Sequence, residues 1–178
     1  MKLSARQIAV TAALLAICIV SQFFKNTSVF LTGPVINACI ILAGLYAGLS
    51  CGLILSVITP VTAFFISGSP VISAIPAIMP AIMIGNALLV VCTCLLNRRI
   101  HTKAGAALSM LAGSVAKSLF MGIAISLILI PMLLPEKMQP KMSVFQTTFS
   151  IVQLITAVIG SFYALIIRIP LGRYMDRA

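Results

Sequence analysis

A single lysine, Lys117, stands in the middle of the apolar segment GSVAKSLFMGIAISLILI, residues 113–130. It lies 13 residues after Ala104 and 14 residues before Pro131, which puts it about 20 Å from either end of a membrane helix that rises ~1.5 Å per residue. A lysine side chain cannot reach water over that distance, so its charge needs carbonyl groups, waters or an anion inside the protein. Lys117 therefore predicts a site for a ligand anion, and a purely structural hydrogen-bonding role is the alternative.

Amide side chains occur on other predicted helices and could complete such a site. Asn86 lies on the fourth predicted helix, and Gln146 and Gln153 lie about two turns apart on one side of the sixth. Amides can bind a ligand or join helices to one another, and their combination with a buried lysine favours a small-molecule pocket. The candidate ligand-binding residues are Lys117, Asn86, Gln153, Gln146, Asn37, Lys25, Asn26 and Ser69.

Enzymatic chemistry inside the membrane is excluded because no predicted span contains an acid or a histidine. The two carboxylates are Glu136, in a predicted outer loop, and Asp176, near the C-terminal end, while the single histidine, His101, lies among basic residues. Hydrolases, lipid phosphotransferases and proton-coupled pumps usually need Asp, Glu or His within the spans. The segment GSVAKS also lacks the glycine spacing of a phosphate-binding loop. We expect a protein that is not an enzyme, with no cofactor, no metal and no ATP site of its own.

The elements that must position these residues are membrane helices. Hydrophobic residues make up 61% of the 178 residues, charged residues make up 8%, and the mean hydropathy is +1.21, whereas soluble domains carry about a quarter charged residues. We expect an all-α integral membrane protein with one substrate-binding domain over residues 1–178. The basic residues lie in gaps between apolar segments and form no stripe with aromatics, so nucleic acid is not expected as a partner.

Apolar length and charge predict six membrane helices with both termini in the cytoplasm. Lys and Arg concentrate at the two ends of the chain and around residues 98–103, which the positive-inside rule assigns to the cytoplasm. An odd number of crossings must then lie between the first outer loop and residue 98. Only two apolar runs lie there, residues 35–66 and 71–96, so the longer one must divide, and GLSCG offers a tight turn for this. The last outer loop is expected to be non-helical because of Pro131, Pro135 and Pro140. The predicted helices cover about residues 6–23, 33–49, 51–67, 76–96, 104–130 and 145–168.

The first predicted helix carries small residues at helical spacing. Ala5, Ala9 and Ala13 recur every four residues, and Ala12 and Ala16 repeat that spacing on an adjacent face. Small side chains at this spacing let another helix approach closely. Alanine is common in membrane helices, so the pattern alone does not require a partner.

These features together resemble one family, the substrate-binding S-components of energy-coupling factor (ECF) vitamin transporters. The resemblance covers essentially the whole chain: six short spans, the Ala-x-x-x-Ala pattern, and a long outer first loop before GPVINACIILAGLYAGLSCGLILSVITP. It implies a high-affinity binding subunit of an importer in the bacterial plasma membrane. It also implies that Ala9 with Ala13, and Ala12 with Ala16, dock on a transmembrane coupling subunit driven by two cytoplasmic ATPases. The vitamin would bind in the outer half, between helices four to six and the outer loops.

The charged residues of the predicted spans limit the charge that the substrate can carry. A cationic vitamin such as thiamine would need acidic residues, and no predicted span holds one. One lysine with amides favours a neutral or anionic ligand such as pantothenate, lipoate, a flavin or a pyridoxine-like compound. Two other classes remain open at this point: a self-sufficient channel or carrier working as a homo-oligomer, and a membrane scaffold without a ligand. Uptake by the chain alone, without ATPase subunits, would distinguish the carrier from the S-component.

Overall fold

The part of the chain that the computed structural model describes, residues 3–25, 28–100 and 103–175, has helices as its only regular structure. Asn26 and His101 lie outside these residues. Six stretches of the described residues are long and apolar enough to cross a membrane, which confirms the all-α class and the number of candidate spans. They are Ala5–Gln22, Val29–Ala47, Leu49–Ser67, Ile78–Arg99, Ala104–Leu133 and Glu136–Arg168.

The helices follow one another with short connections. In chain order they are α1 (Ala5–Gln22), α2 (Val29–Leu42) with a π-helical end (Ala43–Ala47), α3 (Leu49–Ser67), α4 (Pro70–Ala74), α5 (Ile78–Arg99), α6 (Lys103–Met121) with a π-helical continuation (Gly122–Leu129), α7 (Ile130–Leu133), a 3-10 helix (Glu136–Lys141), α8 (Met142–Phe149) and α9 (Ile151–Met175).

The long helices pack as a ring. α1 contacts α2 and α3, α2 packs on α9, α9 on α6, α6 on α5, and α5 on α3, which closes the circle. The short helices α4, α7 and α8 lie at the end that the charge pattern assigns to the outside, and we call this end the outer end. The ring leaves an interior in which side chains of α2, α5 and α6 can meet.

The turn between α2 and α3 lies at GLSCG, as the sequence predicts. Gly48 has φ 103°, a conformation that a residue with a side chain rarely adopts. α3 begins at the next residue, Leu49, two residues earlier than the predicted start. α1 begins with a capping box, in which the backbone N–H of Ser4 donates to Gln7 Oε1 at 2.9 Å and the N–H of Gln7 donates to Ser4 Oγ at 3.3 Å.

The first outer connection is short, so the expected long loop before the second helix is wrong. α2 begins at Val29, four residues before the predicted start at residue 33, and Pro34 lies inside it. The reason is a tertiary bond near the start of this helix. Thr32 Oγ1 donates to the backbone carbonyl of Ser21 at 2.9 Å, which ties the first turn of α2 to the end of α1.

The outer end of the fifth span also differs from prediction. The chain does not leave the helix at Pro131, because the helical register widens over Gly122–Leu129 and Pro131 becomes the second residue of α7, where its missing N–H costs little. The last outer connection is not free of helix either, since Glu136–Lys141 forms a 3-10 helix. The sixth predicted helix is divided at Ser150, whose φ of −114° and ψ of −86° separate α8 from α9.

Apolar side chains fill the interior at the outer end. They come from α4 and the residue after it, from α5, from the end of α6 and its π-helical continuation, from α7 and the residue after it, and from α8. We call this set the outer apolar cluster. Its buried members are Val71, Ile72, Ile75, Ile78, Ala81, Met121, Ile125, Ile130, Leu134 and Phe149.

Candidate functional site

Lys117 of α6 points into the ring and joins three helices. Its amine Nζ donates to Oδ1 of Asn37 on α2 at 2.6 Å and to Oδ1 of Asn86 on α5 at 2.7 Å. All three side chains are buried, with exposed fractions of 3% for Lys117, 2% for Asn37 and 3% for Asn86. We call these three residues the lysine node. The structure thus brings three of the candidate ligand-binding residues together from separate parts of the sequence.

The lysine node holds an amine with no carboxylate beside it. Glu136 is exposed on the 3-10 helix, and Asp176 lies outside the described residues. The two amide oxygens accept two of the three protons that an ammonium carries. Among the described residues, no hydrogen bond uses the third proton or the amide nitrogens of Asn37 and Asn86. The node therefore presents donors to any acceptor that enters, which is the arrangement that suits an anion.

Apolar side chains separate the node from the outer end. Met121 lies one turn after Lys117 and is fully buried. It faces Gly85 of α5, where an added Cβ would lie 2.8 Å from Met121 Cγ and 3.7 Å from Lys117 Cγ. Ile125 and Phe149 continue the outer apolar cluster beyond this point. A ligand that reaches Lys117 from the outer end must displace some of these side chains.

A groove of about 470 Å³ lies between the end of α6 and α8, and none of the three residues of the lysine node lines it. Gln146 lines it, whereas Gln153 is half-buried on α9 and its carbonyl accepts from Thr156 Oγ1 at 3.2 Å. Neither glutamine is bonded to Lys117. One wall comes from Ser118, Leu119, Gly122, Ile123, Ser126 and Leu127, and the other wall comes from Ser143, Gln146, Thr147 and Ser150.

Gln146 joins α8 to the π-helical segment after α6. Its Nε2 donates to the backbone carbonyl of Ser126 at 2.9 Å, and Ser126 Oγ donates to the carbonyl of Gln146 at 2.8 Å. π-helical segments are rare and occur often at functional sites. This reciprocal pair holds one end of the groove.

α1 presents its small residues away from the ring. Cys18, Ser21 and Gln22 are the buried residues of this helix. The exposed face carries all five predicted alanines, and we call it the alanine face: Ala5, Ala9, Ala12, Ala13 and Ala16. The alanines leave a shallow surface that a helix of another chain can approach closely.

Comparison with known protein families identifies the family of this chain. The sequence profile of the family described as "ECF transporter, substrate-specific component" matches residues 6–172. The chain belongs to this family. It is therefore a non-enzymatic, multi-pass membrane protein, an S-component. Searches among curated proteins and among solved structures gave no match.

Two further candidate ligand-binding residues, Lys25 and Ser69, lie at the outer end of the S-component. Lys25 Nζ donates to Ser67 Oγ at 3.0 Å, and burial lowers the pKa of Lys25 below its ordinary value. Ser69 precedes α4, and its carbonyl accepts from the backbone N–H and the hydroxyl of Ser73 at 3.1 and 3.2 Å. Asn26 lies outside the described residues. The structure brings neither Lys25 nor Ser69 to Lys117.

Sequence reasoning missed two glutamines that hold α1 in the S-component. Gln7 Nε2 donates to the carbonyl of Ala47 at 2.7 Å, and Gln22 Nε2 donates to the carbonyl of Thr59 at 3.1 Å. Gln22 is 1% exposed, and its Oε1 has no partner among the described residues. The signals were present: Ser4 and Gln7 have the spacing of a capping box, and Gln22 is a polar residue at the end of an apolar span.

Proposed function

We propose that this S-component is the high-affinity binding subunit of an importer for a small vitamin-like solute that carries a carboxylate or another strongly polarised oxygen, and that Lys117 contacts this oxygen. One observation carries the proposal: the lysine node is a buried cation site whose partners are neutral amides. A charge in the interior of a membrane protein usually marks a ligand or ion site. The ligand supplies the negative charge that the partners of Lys117 lack.

Binding would proceed by adding an acceptor to an existing set of donors. The third proton of Lys117 and the amide nitrogens of Asn37 and Asn86 can all donate to the ligand without breaking the bonds already present. A charge-assisted hydrogen bond contributes roughly 1.5–3 kcal/mol, which is about one to two decades in affinity. The surrounding outer apolar cluster would cover the rest of the ligand once its side chains have moved aside.

Ligand chemistry follows from this arrangement. Pantothenate and lipoate each offer a carboxylate and an apolar portion, whereas a flavin or a pyridoxine-like compound would use a polarised oxygen. A cationic vitamin is disfavoured because Lys117 would repel it and because Glu136, the one carboxylate among the described residues, is exposed on the 3-10 helix.

The S-component would take its energy from other subunits. We infer that the alanine face of α1 docks on a transmembrane coupling subunit that works with two cytoplasmic ATPases. Support comes from the exposure of the five alanines and from the bonds of Gln7 and Gln22, which hold the two ends of α1 on the ring.

The test begins with mass spectrometry of the small molecule that co-purifies with the detergent-extracted protein. Titration calorimetry then compares this molecule on the wild type, on Lys117→Met and on Lys137→Met, which removes an exposed lysine as the control. We expect Lys117→Met to raise the dissociation constant by roughly 10-fold to 100-fold and Lys137→Met to leave it unchanged. An unchanged dissociation constant in Lys117→Met would show that the lysine node is only structural.

A further inference from the structure

The groove between α6 and α8 lies near the outer membrane surface. The fifth span covers 30 residues, Ala104–Leu133, or about 45 Å at ~1.5 Å per residue, against a hydrocarbon thickness of ~30 Å. With the basic end of this span at the opposite surface, Ser118 lies inside the hydrocarbon and Leu127 lies beyond it. The groove therefore crosses the boundary between acyl chains and headgroups.

Four of the five hydroxyl groups that line the groove already donate hydrogen bonds to backbone carbonyls. The hydroxyls of Ser118, Thr147 and Ser150 donate to backbone carbonyls of their own helices at 2.8, 2.8 and 2.6 Å. Ser126 Oγ and Gln146 Nε2 donate across the groove to each other's carbonyls. The oxygens of these groups still offer lone pairs, and so does Gln146 Oε1, for which the described residues supply no hydrogen bond. The remaining donors are the Ser143 hydroxyl and the second N–H of Gln146 Nε2. The groove is rich in acceptors and contains no acid.

We propose that this groove binds the headgroup of a phospholipid that bears a primary ammonium, of the phosphatidylethanolamine class. An ammonium has three N–H donors for the oxygens of the two walls. Lys141 is exposed and lies two residues before Ser143, so a cation for the lipid phosphate stands at the start of α8. Leu119 and Leu127 are 64% and 68% exposed along the other wall and give the acyl chains an apolar surface.

Size and charge both favour this occupant over other lipids. The groove volume of about 470 Å³ falls within the 300–1,000 Å³ that is typical of small-molecule sites, so a headgroup can enter. A choline headgroup has no N–H and would leave the acceptors of the groove without donors. An anionic headgroup would bring more acceptors to a surface already lined with them. The proposal is independent of the substrate at the lysine node, because Lys117 does not line the groove.

Neighbouring threonines on α8 provide a matched pair of variants. Thr147 and Thr148 both donate to the carbonyl four residues earlier, to Ser143 at 2.8 Å and to Val144 at 2.7 Å. Thr147 lines the groove, and Thr148 is not among its lining residues. Replacement by valine keeps the shape and removes the same bond in each case. A difference in lipid affinity between the two variants therefore measures the contribution of the groove.

The experiment measures lipid binding to the full-length purified protein by native mass spectrometry. The probes are phosphatidylethanolamine, its N-monomethyl and N-dimethyl derivatives and phosphatidylcholine, all with the same acyl chains. We expect the affinity to fall at each methylation, by at least tenfold over the series. Thr147→Val should weaken the binding of phosphatidylethanolamine by about threefold to tenfold, as expected for one lost hydrogen bond. Thr148→Val should bind it with the affinity of the wild type.

Three results would overturn the proposal. The first is equal binding of phosphatidylethanolamine and phosphatidylcholine, and the second is an equal effect of the two valine variants. The third is binding of soluble glycerophosphoethanolamine with the affinity of the lipid, which would assign the groove to a free solute. If Thr147→Val fails to fold, the methylation series on the wild type decides alone.

Discussion

Lys117 combines a binding role with a packing role, and the two can be separated by mutation. Its amine is the hydrogen-bond partner of Asn37 Oδ1 and Asn86 Oδ1. Removing the amine leaves two buried oxygens without a donor, whereas removing all three polar groups leaves none. The cost of an orphaned buried acceptor is about 1–3 kcal/mol in water-soluble proteins and smaller in membrane bundles.

At this scale we predict that Lys117→Met lowers the free energy of unfolding by about 1–2 kcal/mol and leaves the protein folded. The triple variant with Asn37→Leu and Asn86→Leu should recover most of that loss while still failing to bind ligand tightly. Thermal unfolding in detergent measures the first effect, and calorimetry measures the second. A triple variant less stable than Lys117→Met would contradict the assignment of the loss to the two orphaned oxygens.

A second residue-scale prediction concerns the crossing of α2 and α9. A Cβ at Gly160 would lie 2.7 Å from Asn37 Cβ and 2.7 Å from the carbonyl oxygen of Pro34, so the two helices must separate to admit it. Gly160→Ala should destabilise the protein by about 1–3 kcal/mol and weaken ligand binding, because Asn37 is displaced from Lys117.

Gly122→Ala is the control for this prediction. Its Cβ would meet only Ser150 Cβ, at an ordinary contact distance of 3.7 Å. Thermal unfolding and calorimetry of the two alanine variants compare the sites directly. Equal stability of both would show that the α2 and α9 crossing can relax.

At the scale of the element, α1 is the helix with the least burial among the candidate spans. Its position on the ring depends on bonds near its two ends, from Gln7 to Ala47 and from Gln22 to Thr59. Four alanines of the alanine face lie between Gln7 and Gln22, and Ala5 lies just before Gln7. This is the arrangement expected of a helix that must present a surface to another subunit.

We predict that Ala9→Trp and Ala13→Trp abolish ATP-driven uptake by the assembled transporter while ligand binding to the isolated S-component is retained. An indole would hold the partner helix away from the alanine face. Ala107→Trp, which enlarges an exposed alanine of α6, is the matched control and should leave uptake unchanged. Vesicle uptake and co-purification of the subunits provide the measurements. Normal uptake by both α1 variants would remove the alanine face from the docking surface.

At the scale of the whole molecule, the placement of the two ends of the bundle decides from which side the ligand enters. We predict that Lys137→Cys in the last outer connection reacts with a membrane-impermeant maleimide in whole cells, and that Arg99→Cys reacts only after the membrane is opened. The positive-inside rule gives the physical reason. Four native cysteines are buried and Cys92 is half-buried, so maleimide labelling of the wild type measures the background from these cysteines. The reverse labelling pattern would invert the proposed orientation.

Several features could be predicted from the sequence because they depend on local properties. A membrane span needs about 20 apolar residues in a row, and the basic residues mark the gaps, so the number of spans follows from composition along the chain. The turn at Gly48 could be predicted for the same reason, since a tight turn depends on the residues within it. The alanine face follows from helical spacing on one element.

Only the tertiary structure decided which polar residues meet. Asn37 and Asn86 are bonded to Lys117, while Gln146 and Gln153 are not, because the lateral order of helices in the ring places α2 and α5 opposite the lysine. That order depends on packing between distant segments, and no local pattern encodes it. The groove likewise depends on a widened register after α6 meeting a break at Ser150, two irregularities that become a cavity only when they lie side by side.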